Sequence, residues 1–367
     1  MGNDGKISAR QFLVLLFLYT IGTTILVIPS GLATVARQDA WIGALAGVLI
    51  GLGVAALYRT LWGKYPNLSF AGICERVLGK VVGKAVTLAF VFYAFIGSTT
   101  VLYYVGNFFT TQIMPETPIQ FINGLFAVIV VMGVRMGAEA LARSAEIILP
   151  WFIGLFFVLI LSLSPDLKIE QFQPVMEARP NEIIGAALSF AGTASLPLVF
   201  LFMLFPRVQM ADQARKGMLI VHVAGGLCVF LVTLFSIGVL GADVTSRNMF
   251  PSYELAKKIN IGNFFQRIEV IMAGLWFVST YYKTSLYFYG FATGVAEMLN
   301  LKDYKSLTWP MGILMVLYSL VVYPNVVYMQ HWDATVYIPY ILVMGAVVPL
   351  LLLTAGIIRS GLPDGRE

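Results

Sequence analysis

Apolar positions in this chain come in long unbroken runs separated by short polar stretches. They show neither the two-residue alternation of a half-buried strand nor the single apolar stripe of a surface helix. A helix needs about 20 mostly apolar residues to cross a bilayer. Ten runs reach or approach that length: roughly 11–36, 40–58, 85–112, 119–138, 145–164, 183–205, 217–240, 266–294, 308–324 and 335–358. The pattern predicts an all-α integral membrane protein with ten transmembrane helices in a single membrane domain, 1–367. The fourth and ninth runs are the shortest. A closed barrel would need alternating segments instead, so it is excluded. Two shorter stretches read as amphipathic helices at the membrane interface. One lies in 68–84, with Phe70, Ile73, Val77 and Leu78 on one face, and the other is Pro251-Ser252-Tyr253-Glu254-Leu255-Ala256-Lys257-Lys258. A loop over 165–182 is rich in Pro and acid.

Composition removes the soluble alternative. Of 367 residues, 59% are of hydrophobic types and 12% are charged, about half the charged share of a soluble domain. The first run follows Lys6 and Arg10, is too long for a signal-peptide core and has no clean cleavage site, so it reads as a span. The net charge of +5 is spread over the loops, which argues for orientation in a membrane and against nucleic-acid binding. With the N-terminus placed inside, sixteen Lys and Arg fall in inner segments and seven in outer ones, and Lys283 remains within a span. The excess predicts cytoplasmic termini. Cys74 and Cys228 fall in an inner loop and a helix, and no disulfide is expected. Trp41, Trp151 and Trp309 fit the aromatic belts of a membrane protein.

Two runs are interrupted in matching places. Run one contains Gly22-Thr23-Thr24-Ile25-Leu26-Val27-Ile28-Pro29, and run six contains Ala191-Gly192-Thr193-Ala194-Ser195-Leu196-Pro197. Proline has no amide hydrogen and clashes with the carbonyl four residues back. Pro29 therefore frees the carbonyl of Ile25, and Pro197 frees that of Thr193. In hydrocarbon such groups are tolerated where they are buried in protein or line a cavity. A proline kink satisfied by nearby Thr or Ser hydroxyls is the simpler alternative for either break alone. Matching breaks in spans one and six point to an inverted repeat, about 8–164 and 183–358, around a midplane site. Half-helix N-termini suit a carboxylate, and freed carbonyls suit an ammonium or a cation. A small zwitterion such as an α-amino acid satisfies both, with Thr23, Thr24, Thr193 and Ser195 adding hydroxyls.

Other polar groups sit at depth. Lys283 in run eight lies eleven residues before Gly294, about 16 Å along a helix, and an intramembrane lysine is a functional candidate by default. It can stand in for a bound cation, carry a proton, or form a fixed structural pair. Thr284 and Ser285 can ligate sodium or bond back to their own helix. Tyr93, Gly97 and Ser98 can wall a pocket or simply pack. Glu146, near Arg143, is a further candidate for ion or proton coupling or an interfacial ion pair. His222 has no metal-ligating neighbours in sequence and reads as a satisfied core histidine. No phosphate-binding loop, dinucleotide fingerprint or metal-ligand spacing occurs. Neither an enzyme nor a cofactor or metal is expected.

Several segments carry a family resemblance: Ile7-Ser8-Ala9-Arg10-Gln11 leading into Ile21-Gly22-Thr23, Ala142-Arg143-Ser144-Ala145-Glu146 before Pro150-Trp151, Phe250-Pro251-Ser252-Tyr253, and Ile261-Gly262-Asn263-Phe264-Phe265-Gln266-Arg267-Ile268-Glu269. In this order, over essentially the whole chain, they resemble the B subunits of spore germinant receptors (GerAB-like), within the amino acid–polyamine–organocation superfamily. The resemblance implies a LeuT-like 5+5 inverted repeat with helices 1 and 6 broken. It also implies a sensor of small nutrients, often amino acids, in the spore inner membrane, assembled with an A subunit and a lipoprotein C subunit. By position it implies a ligand site at Gly22, Thr23, Thr24 and Ile25 with Ala191, Gly192, Thr193 and Ser195, walled by spans three and eight. Lys283 departs from a simple copy of a sodium-coupled site. The sequence leaves open a proton- or sodium-coupled amino-acid permease and an ion-conducting channel subunit.

Overall fold

The computed structural model describes residues 5–259 and 268–360; the expected segment Ile261 to Arg267 lies outside them. Among the described residues seven helical stretches are long and apolar enough to cross a membrane. The first, Ala9–Lys64, holds two spans, because a turn at Arg37–Asp39 separates Thr24–Ala36 from Ala40–Lys64. The 30-residue helix Glu269–Met298 supplies an eighth element between them and the last stretch, diluted by its serines, threonines and tyrosines. Thr308–Ser319 is only 12 residues long. With these two the helical order matches the ten runs of the sequence. The described chain is thus an all-helical protein with the spans of an integral membrane protein.

The loops sort into two ends. At the basic end, the Ile7 amide donates to the Arg207 carbonyl at 3.0 Å, and the Gln209 amide donates to the Ile7 carbonyl at 2.8 Å. Arg135 reaches the Lys305 carbonyl at 3.0 Å, Arg10 pairs with Glu146 at 3.0 Å, and Ser69 donates to Glu297 at 2.6 Å. At the opposite end Arg37 pairs with Asp243 at 3.0 Å. Buried Asp39 there accepts from the amides of Met176 and Ala178, each at 2.9 Å. Segments that an alternating topology assigns to one side thus meet on one side.

The two amphipathic stretches do form helices. Phe70–Leu78 is capped by Ser69, which accepts from the Gly72 amide at 3.2 Å, and buries Phe70, Ile73, Cys74 and Val77. Pro251–Lys257 departs from the expected interfacial position. Pro251, Ser252, Tyr253, Leu255 and Ala256 are all buried, with Phe250 and Tyr253 against the Phe108 ring, each at 5.1 Å between centroids. Only a polar edge remains outside, where Lys257 pairs with Glu254 at 2.7 Å. The helix packs inward because it has apolar residues on more than one face and a serine that meets a free carbonyl. Cys74 and Cys228 are free thiols.

Candidate functional site

The first span breaks at Gly22–Thr23, between Ala9–Ile21 and Thr24–Ala36. Gly22 has φ +35°, a conformation that L side chains rarely adopt. Pro29, expected to mark the break, lies inside the second half-helix, which continues through it. The carbonyl it frees, that of Ile25, accepts from the Ser252 hydroxyl at 2.7 Å. A residue 227 positions away thus replaces the missing amide.

In the sixth span the α-helix ends at Ala194, and Leu196–Met203 continues as a tighter 3₁₀ helix. Four carbonyls around this change meet side chains from other spans. Tyr337 donates to Gly192 at 3.0 Å and Tyr19 to Pro197 at 3.0 Å. The Tyr58 hydroxyl lies between the carbonyls of Leu196, at 2.8 Å, and Gly345. The Thr193 carbonyl, freed by Pro197, accepts from Lys283 Nζ at 2.7 Å and faces Thr24 Oγ1 at 3.4 Å.

Lys283 thus joins three spans at one point. Its nitrogen also donates to Thr24 Oγ1 at 3.2 Å and lies 5.5 Å from the centre of the Tyr19 ring. Its stem runs past Gly22, where a Cβ would collide with the Lys283 Cδ. The Ser279 hydroxyl, one helical turn earlier on the same span, is 3.0 Å from the Gly22 carbonyl.

His222 ties the same two breaks together. It is fully buried, with Nε2 3.1 Å from Ser195 Oγ and Nδ1 3.5 Å from Thr20 Oγ1. The Thr20 hydroxyl already donates to Leu16. The hydrogen-bond pattern therefore assigns the proton to Nδ1, with Nε2 accepting from Ser195.

The other expected site residues are distributed unevenly. Tyr93 and Gly97 line the Tyr287 ring: the Tyr93 centroid is 6.3 Å from it, and a Cβ on Gly97 would meet it at 2.5 Å. Thr193 Oγ1 and Thr284 Oγ1 bond back to their own helices, Thr284 to Thr280 at 2.8 Å. Ser98 does the same, to Phe95. Thr23, Ile25, Ala191 and Ser285 are buried beside the breaks or on the span that carries Lys283. Glu146 stands apart, at the basic end with Arg10 and with Gln11 at 3.3 Å. Sequence reasoning missed Tyr19, Tyr58, Tyr287 and Tyr337, since a mid-span tyrosine reads as packing. It also missed Ser252, whose partner is remote in sequence.

A cavity of about 650 Å³ opens toward the basic end, lined by residues including Thr87, Met203, Thr293 and Glu297. One 3₁₀ turn nearer the midplane than Met203, Phe200 packs against Phe90, Tyr93 and Tyr287 at 4.8, 5.0 and 4.8 Å. Of this aromatic cluster, Tyr287 also packs on Tyr19, at 5.7 Å between centroids, and the Lys283 nitrogen lies over the Tyr19 ring.

A family model described as "Spore germination protein" matches residues 6–327. The chain belongs to the spore germination protein family. Spore germination protein KB of Bacillus subtilis (strain 168) is 27% identical over 325 residues, 87% of this chain and 86% of that protein. Spore germination protein YndE of the same organism is 23% identical over 87% of this chain and 88% of that protein. Spore germination protein GerLB of Bacillus cereus is 24% identical over 78% of this chain and 77% of its own length. Among solved structures, MhsT in complex with L-phenylalanine aligns with a TM-score of 0.71 at 13% identity, over 99% of this chain and 94% of MhsT. A sodium-coupled sialic acid symporter aligns at 0.70 and 14% identity, over 96% of this chain and 79% of its own. At such identities these likenesses speak for the fold, and this family member has the fold of secondary transporters.

Proposed function

We propose that this chain is the nutrient-sensing subunit of a spore germinant receptor and binds a small ligand, an amino acid, between its broken spans. The observation that carries this reading is the meeting of the freed Thr193 carbonyl and the Thr24 hydroxyl, from the two broken spans, at one buried donor. Polar backbone at this depth needs a partner, and a ligand ammonium or hydroxyl can take that role. The site comprises Gly22, Thr23, Thr24 and Ile25 with Ala191, Gly192, Thr193 and Ser195, and has Tyr93, Gly97 and Thr284 as its walls. Lys283 and Ser285 are the ion or proton candidates. Glu146 has less claim to that role, because its partners lie at the basic end.

Equilibrium binding of an amino-acid panel to the purified chain tests this reading, together with uptake into liposomes under a sodium or proton gradient. Binding without uptake supports a sensor. Gradient-driven accumulation would instead make it a coupled permease, a second reading favoured by the cavity at the basic end as an exit path. The resemblance to germinant receptors adds A and C subunits as assembly partners, to be tested by co-purification from spore membranes. It also favours the spore inner membrane as the protein's location. The excess of Lys and Arg favours cytoplasmic termini, which labelling of single cysteines introduced at each terminus from either side would check.

A further inference from the structure

The broken region holds a buried lysine amine without a counter-charge. Lys283 is 2% exposed, and its nitrogen contacts a carbonyl, a hydroxyl and the face of a tyrosine ring. Each of these is neutral. Among the described residues no carboxylate forms an ion pair with it. Carboxylates elsewhere in the fold have partners of their own: Asp333 the Tyr104 hydroxyl, Glu297 the Ser69 hydroxyl, and Glu146 the Arg10 guanidinium. A buried ammonium held only by neutral groups is costly, and an anion brought from outside would stabilise the charged form of this lysine.

The geometry also shows what the lysine blocks. The Thr193 carbonyl is the acceptor that Pro197 releases, and the lysine head now occupies it at 2.7 Å. The lysine stem fills the space left open by the missing side chain of Gly22. Drawing the head away would uncover an acceptor and open room at the first break in a single movement.

Building on the small-ligand reading above, we propose that Lys283 is the ligand's anchor, and that the ligand is an organic acid or zwitterion whose carboxylate draws the lysine head off the Thr193 carbonyl. The ammonium of a zwitterion then replaces the lysine on that carbonyl. The contact between spans six and eight is exchanged for one through the ligand. Ligands without a carboxylate, such as sugars and nucleosides, gain nothing from this site.

The test is equilibrium binding to the full chain in nanodiscs. The probes are L-alanine, L-valine and L-phenylalanine, their carboxamides, propionate, glucose and adenosine. At least one acid is expected to bind, with its carboxamide weaker by about tenfold or more, the loss of one charge-assisted pair. Lys283→Met should abolish that preference for acid over amide, and Lys283→Arg should retain part of it. Equal binding of acid and amide, or a Lys283→Met protein that keeps the preference, overturns the anchor. Binding of glucose or adenosine alone also overturns it, but leaves the sensing role standing. A wild-type protein that binds no probe overturns both. If Lys283→Met fails to fold, the acid–amide comparison on the wild type and on Lys283→Arg decides the matter.

Discussion

Replacing Ser252 with alanine should expose the energetic consequence of Pro29. In the folded protein Ser252 and Ile25 are 1% and 0% exposed, and their bond is 2.7 Å long. Ser252→Ala leaves the Ile25 carbonyl without the amide that proline removed and without the hydroxyl that replaced it. A buried acceptor left unsatisfied costs about 1–3 kcal/mol, and no lipid group can substitute. Pro29→Ala restores an amide four residues after Ile25, within the half-helix Thr24–Ala36. In that background Ser252→Ala removes a second donor from a carbonyl that already has one, and should cost about 0.5 kcal/mol. The double-mutant cycle therefore predicts a coupling of about 0.5–2.5 kcal/mol between positions 29 and 252. Reversible denaturant titration of the four proteins in mixed micelles measures it. Equal costs for Ser252→Ala in both backgrounds would refute the idea that the serine stands in for the amide.

Three further outcomes follow from the same geometry. Gly22→Leu places a side chain on the Lys283 stem at a backbone φ of +35°, so ligand binding should be lost while membrane insertion persists; normal binding would remove the first break from the site. Glu146→Gln should change stability by less than about 1 kcal/mol, since its partner Arg10 is 77% exposed; a large loss of ligand response without loss of protein would restore Glu146 as a coupling residue. Burial pushes the Cys74 thiol up to about 12, so at pH 7.5 the reactive thiolate fraction is on the order of 10⁻⁴ to 10⁻⁵. In a Cys228→Ser protein, maleimide should label Cys74 only on unfolding, or as the pH is raised toward that value, and rapid labelling at pH 7.5 would contradict its buried setting.

The spans could be read from the sequence because hydrocarbon imposes length and apolarity locally, run by run. The existence of both breaks was legible for a similar reason, since Gly and Pro act on their own backbone. Their exact form was not. Pro29 lies in continuous helix because Ser252 repairs its defect, and nothing near residue 29 announces a serine 227 positions away. The donors to the sixth span, Tyr19, Tyr58 and Tyr337, come from three other spans, so their roles depend on how helices rotate against one another. Lys283 stood out by charge alone, whereas its partners Thr24 and Thr193 emerged only from the packing. The position of Pro251–Lys257 was misjudged because its charged residues suggested a surface helix, although they occupy only one edge.

The short backbone pairing of Ile7 with Arg207, Val208 and Gln209 has a consequence for biogenesis. The chain emerges from the ribosome with Ile7 some two hundred residues ahead of its partners. At about 5–20 residues per second, that strand partner is missing for roughly 10–40 s after Ile7 has been made. The first span must therefore wait in the bilayer, with its Gly22 break lacking the sixth span until more than half the chain is made and lacking Lys283 until about three quarters of it is. Truncations ending before and after residue 209 should differ sharply in how readily the first span is extracted or degraded.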